Sequence, residues 1–196
     1  MRRVLFLPTE EEIKRARLEV DADGTSGENG LPASMGRATG FAGAQAQPPA
    51  GGRELHAVSD NGGVPVVLDT NIVLDVFVFN DAAAAPLKQA LETSEVDWLA
   101  TPPMRDELAR VLAYPQIVPR LTFYQRTAED VLADFDRYAQ LTEVAAKAAV
   151  TCSDADDQKF IDLAVAHQAL LLSKDQHVLS MRKRLLAHGI RAQSAM

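Results

Sequence analysis

The pattern of apolar and polar positions divides the chain near residue 63. From Val64 onwards, short apolar runs alternate with amphipathic stretches at helical spacing, whereas the preceding residues are rich in Gly, Ala and Pro and poor in large apolar side chains. A segment of that composition cannot bury enough apolar surface to build a core. The pattern therefore predicts a flexible N-terminal extension at residues 1–63 and a folded domain at residues 64–196.

One stretch of the extension, Pro8–Val20, has helical features. Thr9 is suited to the N-cap position, and Glu12 follows it at the spacing of a capping box. A short isolated helix of this kind is only marginally stable in water. Two explanations of the extension stay open: a functional arm, and a start codon assigned upstream of the true one.

Within the domain, predicted strands alternate with predicted helices. We predict strands at Val64–Thr70, Val96–Thr101, within Glu143–Val150, at Ala169–Ser173 and at Ile190–Ser194. We predict helices at Asp81–Glu92, Pro102–Ala113, Thr127–Gln140, Asp156–His167 and His177–His188. Strands separated by helices of this length predict an α/β fold whose parallel sheet is covered on both faces.

Four carboxylates fall where such a fold binds its ligands, beyond the carboxyl ends of the strands. Asp69 ends the first apolar run, Asp175 lies just beyond the run Ala169–Ser173, and Glu107 and Asp157 lie near helix starts. Crowded carboxylates repel one another unless cations or protons neutralise them. Their oxygens suit Mg²⁺ or Mn²⁺, which activate water and stabilise a scissile phosphate. This constellation predicts nuclease chemistry.

Composition narrows the class of protein. No apolar run approaches the roughly 20 residues of a membrane helix, and no secretory leader is apparent, so we expect a cytoplasmic protein without membrane contact. Cys152 is the single cysteine, which excludes an internal disulfide and a multi-cysteine zinc site. The net charge of −7 argues against a nucleic-acid partner, but bound divalent cations reverse the local sign of an acidic site.

Three segments carry a resemblance to a known family. VVLDTNIVLDVF, ATPPMRDELARVLAYP and CSDADDQKFIDLAVAHQALLLSKDQHVL resemble PIN-domain proteins, close to the bacterial group of toxins from toxin–antitoxin pairs. The resemblance extends from about Val64 to Ser194. It implies a three-layer α/β/α sandwich, cleavage of single-stranded RNA with one or two Mg²⁺ or Mn²⁺ ions, a small antitoxin partner and a homodimer.

The same resemblance implies roles for individual residues. The catalytic and metal-binding acids would be Asp69, Glu107, Asp157 and Asp175, and the supporting residues would be Asn71, Asp154 and Ser173. The family often has Thr-Gly-Asp at the fourth acid, where this chain has Ser173-Lys174-Asp175. Ser keeps the hydroxyl group, and Lys adds a bulky cation.

Several alternatives stay open at the level of single residues. An aspartate at a helix start is often only a cap, so Asp154 and Asp156 compete with Asp157 for the site role. His177 is either a surface residue or a substrate contact. Lys174, Arg105 and the cluster Arg182–Arg184 are either solvated cations or phosphate contacts.

Other functions fit the pattern less well. A haloacid-dehalogenase phosphatase needs a second aspartate two residues after the first, where this chain has Asn71. A phospho-receiver domain needs an acidic pair after its first strand, which is absent. The stronger alternative is a catalytically silent PIN-like module that binds RNA or a protein partner.

Overall fold

A wholly parallel sheet of five strands organises the domain. The computed structural model describes residues 62–196, so the predicted helix Pro8–Val20 and most of the predicted extension lie outside the described residues. The strand order is β3-β2-β1-β4-β5. The strands are β1 (Val64–Leu68), β2 (Val96–Ala100), β3 (Ala139–Leu141), β4 (Leu170–Leu172) and β5 (Ala192–Gln193).

Helices connect the strands in the described part of the chain. The α-helices are α1 (Thr70–Leu74), α2 (Ala85–Glu92), α3 (Pro102–Leu112), α4 (Val118–Phe123), α5 (Ala128–Tyr138), α6 (Gln158–His167), α7 (Gln176–Ser180) and α8 (Arg182–Leu186). A π-helical segment, Asp75–Phe79, continues α1, and a 3-10 turn, Ala82–Ala84, precedes α2. None of these helices is long and apolar enough to span a membrane.

The central strand explains why the sheet is covered on both faces. Val66, Val67 and Leu68 of β1 are all buried, and Val66 lies between Trp98 of β2 and Leu170 of β4. The chain moves outwards from β1 to β2 and β3, then returns to β4 and β5 on the other side. Because crossovers between parallel strands are right-handed, the two halves place their helices on opposite faces. The predicted three-layer α/β/α fold is confirmed.

The predicted third strand was misplaced. The segment Glu143–Val150 forms no strand, whereas Ala139–Leu141 pairs with Trp98–Ala100 of β2, although Ala139 and Gln140 were predicted as the end of a helix. Helix α5 begins with a capping box between Thr127 and Asp130 and ends at Tyr138. Ala139 has an extended backbone, φ −83° and ψ 133°. The helical spacing contains no stop signal there, so pairing with the edge of β2 determines where the helix ends.

The segment after Asp69 also differs from the prediction. The first strand was predicted to reach Thr70, but Asp69 is the N-cap of α1, and the helical chain continues to Phe79. Residues 72–79 are all buried, so they show no amphipathic period that predicts a helix. Helix α4 was not predicted, and the single helix predicted at His177–His188 is divided into α7 and α8 around Met181.

Aromatic packing fixes the face of the sheet that α5 covers. Trp98 of β2 is buried, with its ring centroid 4.8 Å from Phe135 of α5 in an edge-on contact. Phe77 of the π-helical segment stacks on Trp98 at 6.0 Å and on Tyr138 at 5.7 Å. These contacts anchor the segment that follows Asp69 and so support the position of α1.

Candidate functional site

The four acids predicted from the sequence are all buried. Asp69, Glu107, Asp157 and Asp175 have exposed fractions of 4%, 3%, 4% and 2%. Aspartate and glutamate are almost never buried without partners, because removing a charge from water is costly. Four buried acids in one small domain therefore require specific surroundings.

Ser173 connects the first acid to the fourth. The hydroxyl Oγ of Ser173 donates to Oδ2 of Asp69 at 2.8 Å and accepts from the backbone N–H of Asp175 at 3.0 Å. Ser173 directly follows β4 and is fully buried. The backbone N–H of Asp69 also donates to the carbonyl of Leu172 at 2.9 Å. Asp69 and Asp175 are thereby held at the adjoining ends of β1 and β4.

Glu107 lies in the middle of α3 and faces the start of α1. Thr70 Oγ1 donates to Glu107 Oε1 at 3.0 Å, across 37 positions of sequence. The second oxygen, Oε2, forms an ion pair with the ammonium group of Lys159 from α6. Glu107 therefore joins the helix that follows β1 to the helix that leads into β4.

Asp157 occupies the N-cap position of α6, but its side chain makes no capping hydrogen bond. The sequence left open that Asp157 is only a helix cap, but the side-chain hydrogen bond that such a cap would make is not formed. Asp154 Oδ1 instead accepts from the backbone N–H of Asp156 at 3.0 Å, which closes a local turn. Asp156 is exposed.

The pKa of the Cys152 thiol depends on its burial and on the charges of three acids. Burial raises the pKa of Cys152 above its ordinary value of 9.0, and the negative charges of Asp157, Asp154 and Asp175 raise this pKa further. A hydrogen bond with the backbone of Asp154 acts in the opposite direction. The charge state of the thiol is therefore coupled to each of these three carboxylates.

Asp175 serves as the N-cap of α7. Its Oδ1 accepts from the backbone N–H of His177 at 2.6 Å. The imidazole Nδ1 of His177 lies 2.8 Å from the hydroxyl of Ser153. This pair is exposed and connects the start of α7 to the loop that carries Asp154 and Asp157.

Lys174 points to a second group of acids. Its ammonium group pairs with Asp75 Oδ2 at 2.6 Å and with Asp81 Oδ2 at 3.2 Å. Burial raises the pKa of Asp75, while the hydrogen bond and the charge of Lys174 act against that rise. Asp75 was missed by the sequence analysis because it belongs to the uninterrupted buried segment after α1.

The remaining predicted residues lie nearer the surface. Arg105 forms a two-pronged ion pair with Asp136 at 2.6 and 2.7 Å on the exposed surface. The cluster Arg182–Arg184 is exposed on α8. Asn71 is half-buried, two residues after Asp69. Lys159 was missed because nothing in the sequence around it reveals a partner on another helix.

The donor set suits a hard divalent cation in its chemistry. Carboxylate oxygens predominate at this edge of the sheet, and Mg²⁺ and Mn²⁺ prefer oxygen ligands. Within the described residues 62–196, no three side chains of His, Cys, Asp or Glu lie close enough together to hold a metal ion. At Glu107, the contact that an ion would replace is the ammonium group of Lys159.

Comparison with known proteins agrees with this arrangement. The PIN domain family matches residues 65–177, more than half of the chain, and that segment contains all four acids. The chain is also similar to a chain of the crystal structure of VapBC2 from Rickettsia felis bound to a DNA fragment from their promoter. The identity is 12% and the TM-score is 0.46, over 66% of this chain and 98% of that chain. No curated protein matches.

The family match agrees with the fold of the described residues. PIN domains have a parallel sheet flanked by helices, as described above, and are generally metal-dependent nucleases. The resemblance of the sequence to PIN-domain proteins is confirmed. The chain belongs to the PIN domain family.

Proposed function

We propose that this domain is an endoribonuclease that cleaves single-stranded RNA with Mg²⁺ or Mn²⁺, and that it acts in the cytoplasm as the toxin of a toxin–antitoxin pair. The observation that carries the proposal is that all four carboxylates are buried within the matched PIN domain segment, where Ser173 joins two of them, Asp69 and Asp175, at the adjoining ends of β1 and β4. Buried acids destabilise a fold unless something compensates their charge. A bound cation would compensate the charge of these acids and would also supply the chemistry that cleaves a phosphodiester.

Asp69, Glu107, Asp157 and Asp175 would hold the cation. When bound, one or two ions supply an activated water and stabilise the charge on the scissile phosphodiester. The protein's own contribution is to orient the acids. Residues that hydrogen-bond metal ligands typically matter to metal affinity nearly as much as the ligands do.

Two hydroxyl groups provide that orientation. Ser173 donates to Asp69, and Thr70 donates to Glu107, so one oxygen of each carboxylate is directed by a fixed donor. The turn closed by Asp154 directs the chain into Asp157. Asn71, two residues after Asp69 and half-buried, would orient that carboxylate or a water molecule. We assign supporting roles to Ser173, Asn71 and Asp154.

Cleavage assays with purified protein test the proposal. Wild type should cleave a single-stranded RNA in Mn²⁺ or Mg²⁺ and lose this activity in EDTA, while the matching duplex RNA stays intact. Asp69→Asn and Asp175→Asn keep side-chain size and remove the charge that a hard cation requires, so each should abolish cleavage. Near-normal cleavage by either variant removes that residue from the site.

A matched control is available in the same sheet. Asp97 is also a buried aspartate, but it lies in the first half of β2, beside Pro65 of β1 and away from the strand ends that carry the four acids. Its Oδ1 accepts from Gln140 Nε2 at 3.1 Å. Asp97→Asn should therefore preserve cleavage, so a loss of activity in this variant would indicate a general effect of removing a buried charge.

The alternative is a silent PIN-like module that binds RNA or protein without cutting. One contact favours it: the ammonium group of Lys159 already pairs with Glu107. Under this alternative, wild type binds RNA in a gel-shift assay but releases no metal-dependent product, and Asp69→Asn behaves like wild type.

The toxin role rests on the sequence resemblance and implies two partners, a small antitoxin and a second copy of the chain. Expression of wild type should arrest bacterial growth, and Asp69→Asn should not. A short open reading frame beside the gene should restore growth when it is expressed together with wild type. If wild type and Asp69→Asn arrest growth to the same extent, toxicity does not depend on the acidic site.

A further inference from the structure

Lys159 makes more contacts than a typical surface lysine. It lies at the acidic edge, which is the end of the sheet with the adjoining helices that carry Asp69, Glu107, Asp157 and Asp175. Its ammonium group contacts the carboxylate of Glu107 and the backbone carbonyl of Asp156, and it lies 4.8 Å from the centre of the Phe160 ring. Its side chain is 24% exposed, against 5% for the Glu107 side chain. An anion, a carbonyl dipole and an aromatic face thus surround one ammonium group.

We propose that Lys159 is a positioning residue that serves as the internal counter-cation of Glu107, and that a divalent cation must displace it in order to bind. This inference rests on the proposed function, since it takes the acidic edge to be the metal site. Lys159 would hold Glu107 charged and oriented in the metal-free domain, and the metal ion would compete with its ammonium group.

The two oxygens of Glu107 have different partners, which makes the competition specific. Oε1 accepts from Thr70, a donor that can remain in place when a cation binds the other oxygen. Oε2 pairs with Lys159, and an ammonium ion and a metal ion cannot both occupy the same position on that oxygen. Two cations at close range also repel each other.

Lysine has the properties that such an exchange requires. Its charge sits at the end of a flexible four-carbon chain, so it can leave one anion without moving the backbone. In the ion-paired position the ammonium group also makes a cation–π contact with the Phe160 ring, which stabilises it beside Glu107 until a competing cation binds. In contrast, the guanidinium of Arg105 is fixed by two hydrogen bonds to Asp136 on the exposed surface.

The experiment measures Mn²⁺ affinity directly, by electron paramagnetic resonance of free Mn²⁺, together with the melting temperature in EDTA. Lys159→Met keeps the length of the side chain and removes the charge. In EDTA its melting temperature should fall by roughly 5–10 °C, because a buried carboxylate loses its partner. Its Mn²⁺ affinity should rise about tenfold, as expected from removing a positive charge roughly 6 Å from a divalent ion in a water-like dielectric.

The increase in affinity is the decisive readout, because structural damage to the site weakens metal binding and does not strengthen it. Lys159→Gln retains a hydrogen-bond donor for Glu107 and covers the case in which Lys159→Met does not fold; it should shift affinity in the same direction. Lys159→Arg keeps the charge and should remain within about threefold of wild type. Arg105→Met removes one charge from the same helix as Glu107 and should change affinity by no more than about twofold.

The outcomes separate this inference from the proposed function. If wild type binds Mn²⁺ and Asp69→Asn does not, while Lys159→Met binds equally or more weakly than wild type, the competition is refuted and the metal site stands. If neither wild type nor Lys159→Met binds Mn²⁺, both proposals are refuted. Tighter binding by Lys159→Met, with no such change in Arg105→Met, supports the inference.

Discussion

Replacement of Ser173 by alanine tests the arrangement of the acidic edge without any metal or substrate. Its hydroxyl donates to Asp69 and accepts from the N–H of Asp175, and the residue is fully buried. A hydrogen bond to a charged group contributes about 1.5–3 kcal/mol and a neutral one about 1 kcal/mol. Because alanine matches the remaining volume, packing is conserved and the loss should be about 3 kcal/mol.

A loss of this size is easily measured. For a domain of this length it corresponds to a fall in melting temperature of roughly 8–15 °C. Ser173→Thr keeps the hydroxyl and should retain the hydrogen bonds, at the cost of fitting one methyl group. A double-mutant cycle with Asp69→Asn should give a coupling energy of at least about 1 kcal/mol. A fall of less than about 2 °C for Ser173→Ala, or additive effects in the cycle, would refute the bridging role of the hydroxyl.

Three further predictions concern the extension, the third acid and the thiol. Deletion of residues 1–60 should leave the melting temperature and any cleavage rate nearly unchanged; a large fall in melting temperature would show that the extension packs on the domain. In EDTA, Asp157→Asn should have a melting temperature equal to or above that of wild type. Mn²⁺ should stabilise wild type by roughly 2.7 kcal/mol at a hundredfold excess over the dissociation constant, and the variant by less. Equal stabilisation of the two proteins would move the third ligand to Asp154 or Asp156. Since burial and nearby acids raise the pKa of Cys152 above 9.0, native protein should react with iodoacetamide at pH 8 far more slowly than unfolded protein and faster as the pH rises; equal rates would contradict that shift.

Four of the five strands and the positions of the acids were predictable because each depends on local sequence. An apolar run that ends in a polar residue marks a buried strand and its carboxyl end, which located Asp69 after β1 and Asp175 beyond β4. The helix containing Glu107 was predictable from Pro102 at its start and from its apolar spacing. Thr101 lies at the N-cap, and its side chain makes no capping hydrogen bond.

The contacts that orient the acids were not predictable, because they join distant parts of the chain. Thr70 and Glu107 are separated by 37 positions, and Lys159 reaches Glu107 from another helix. The position of β3 depends on pairing with β2, since helical spacing continues past Tyr138 without a stop. Local patterns determine which residues reach the edge of the sheet, whereas tertiary contacts determine how their side chains are held.

The strand order also determines when the acidic edge comes into existence. Residues 64–141 form β1, β2 and β3 and contribute Asp69 and Glu107, while Asp157 and Asp175 belong to the part that returns to β4 and β5. During synthesis, the first half emerges from the ribosome with only two of the four acids. The edge is assembled only when β4 docks beside β1, after Asp157 and Asp175 have been added to the chain. A truncated chain that ends before residue 157 therefore lacks two of the four acids of the proposed site.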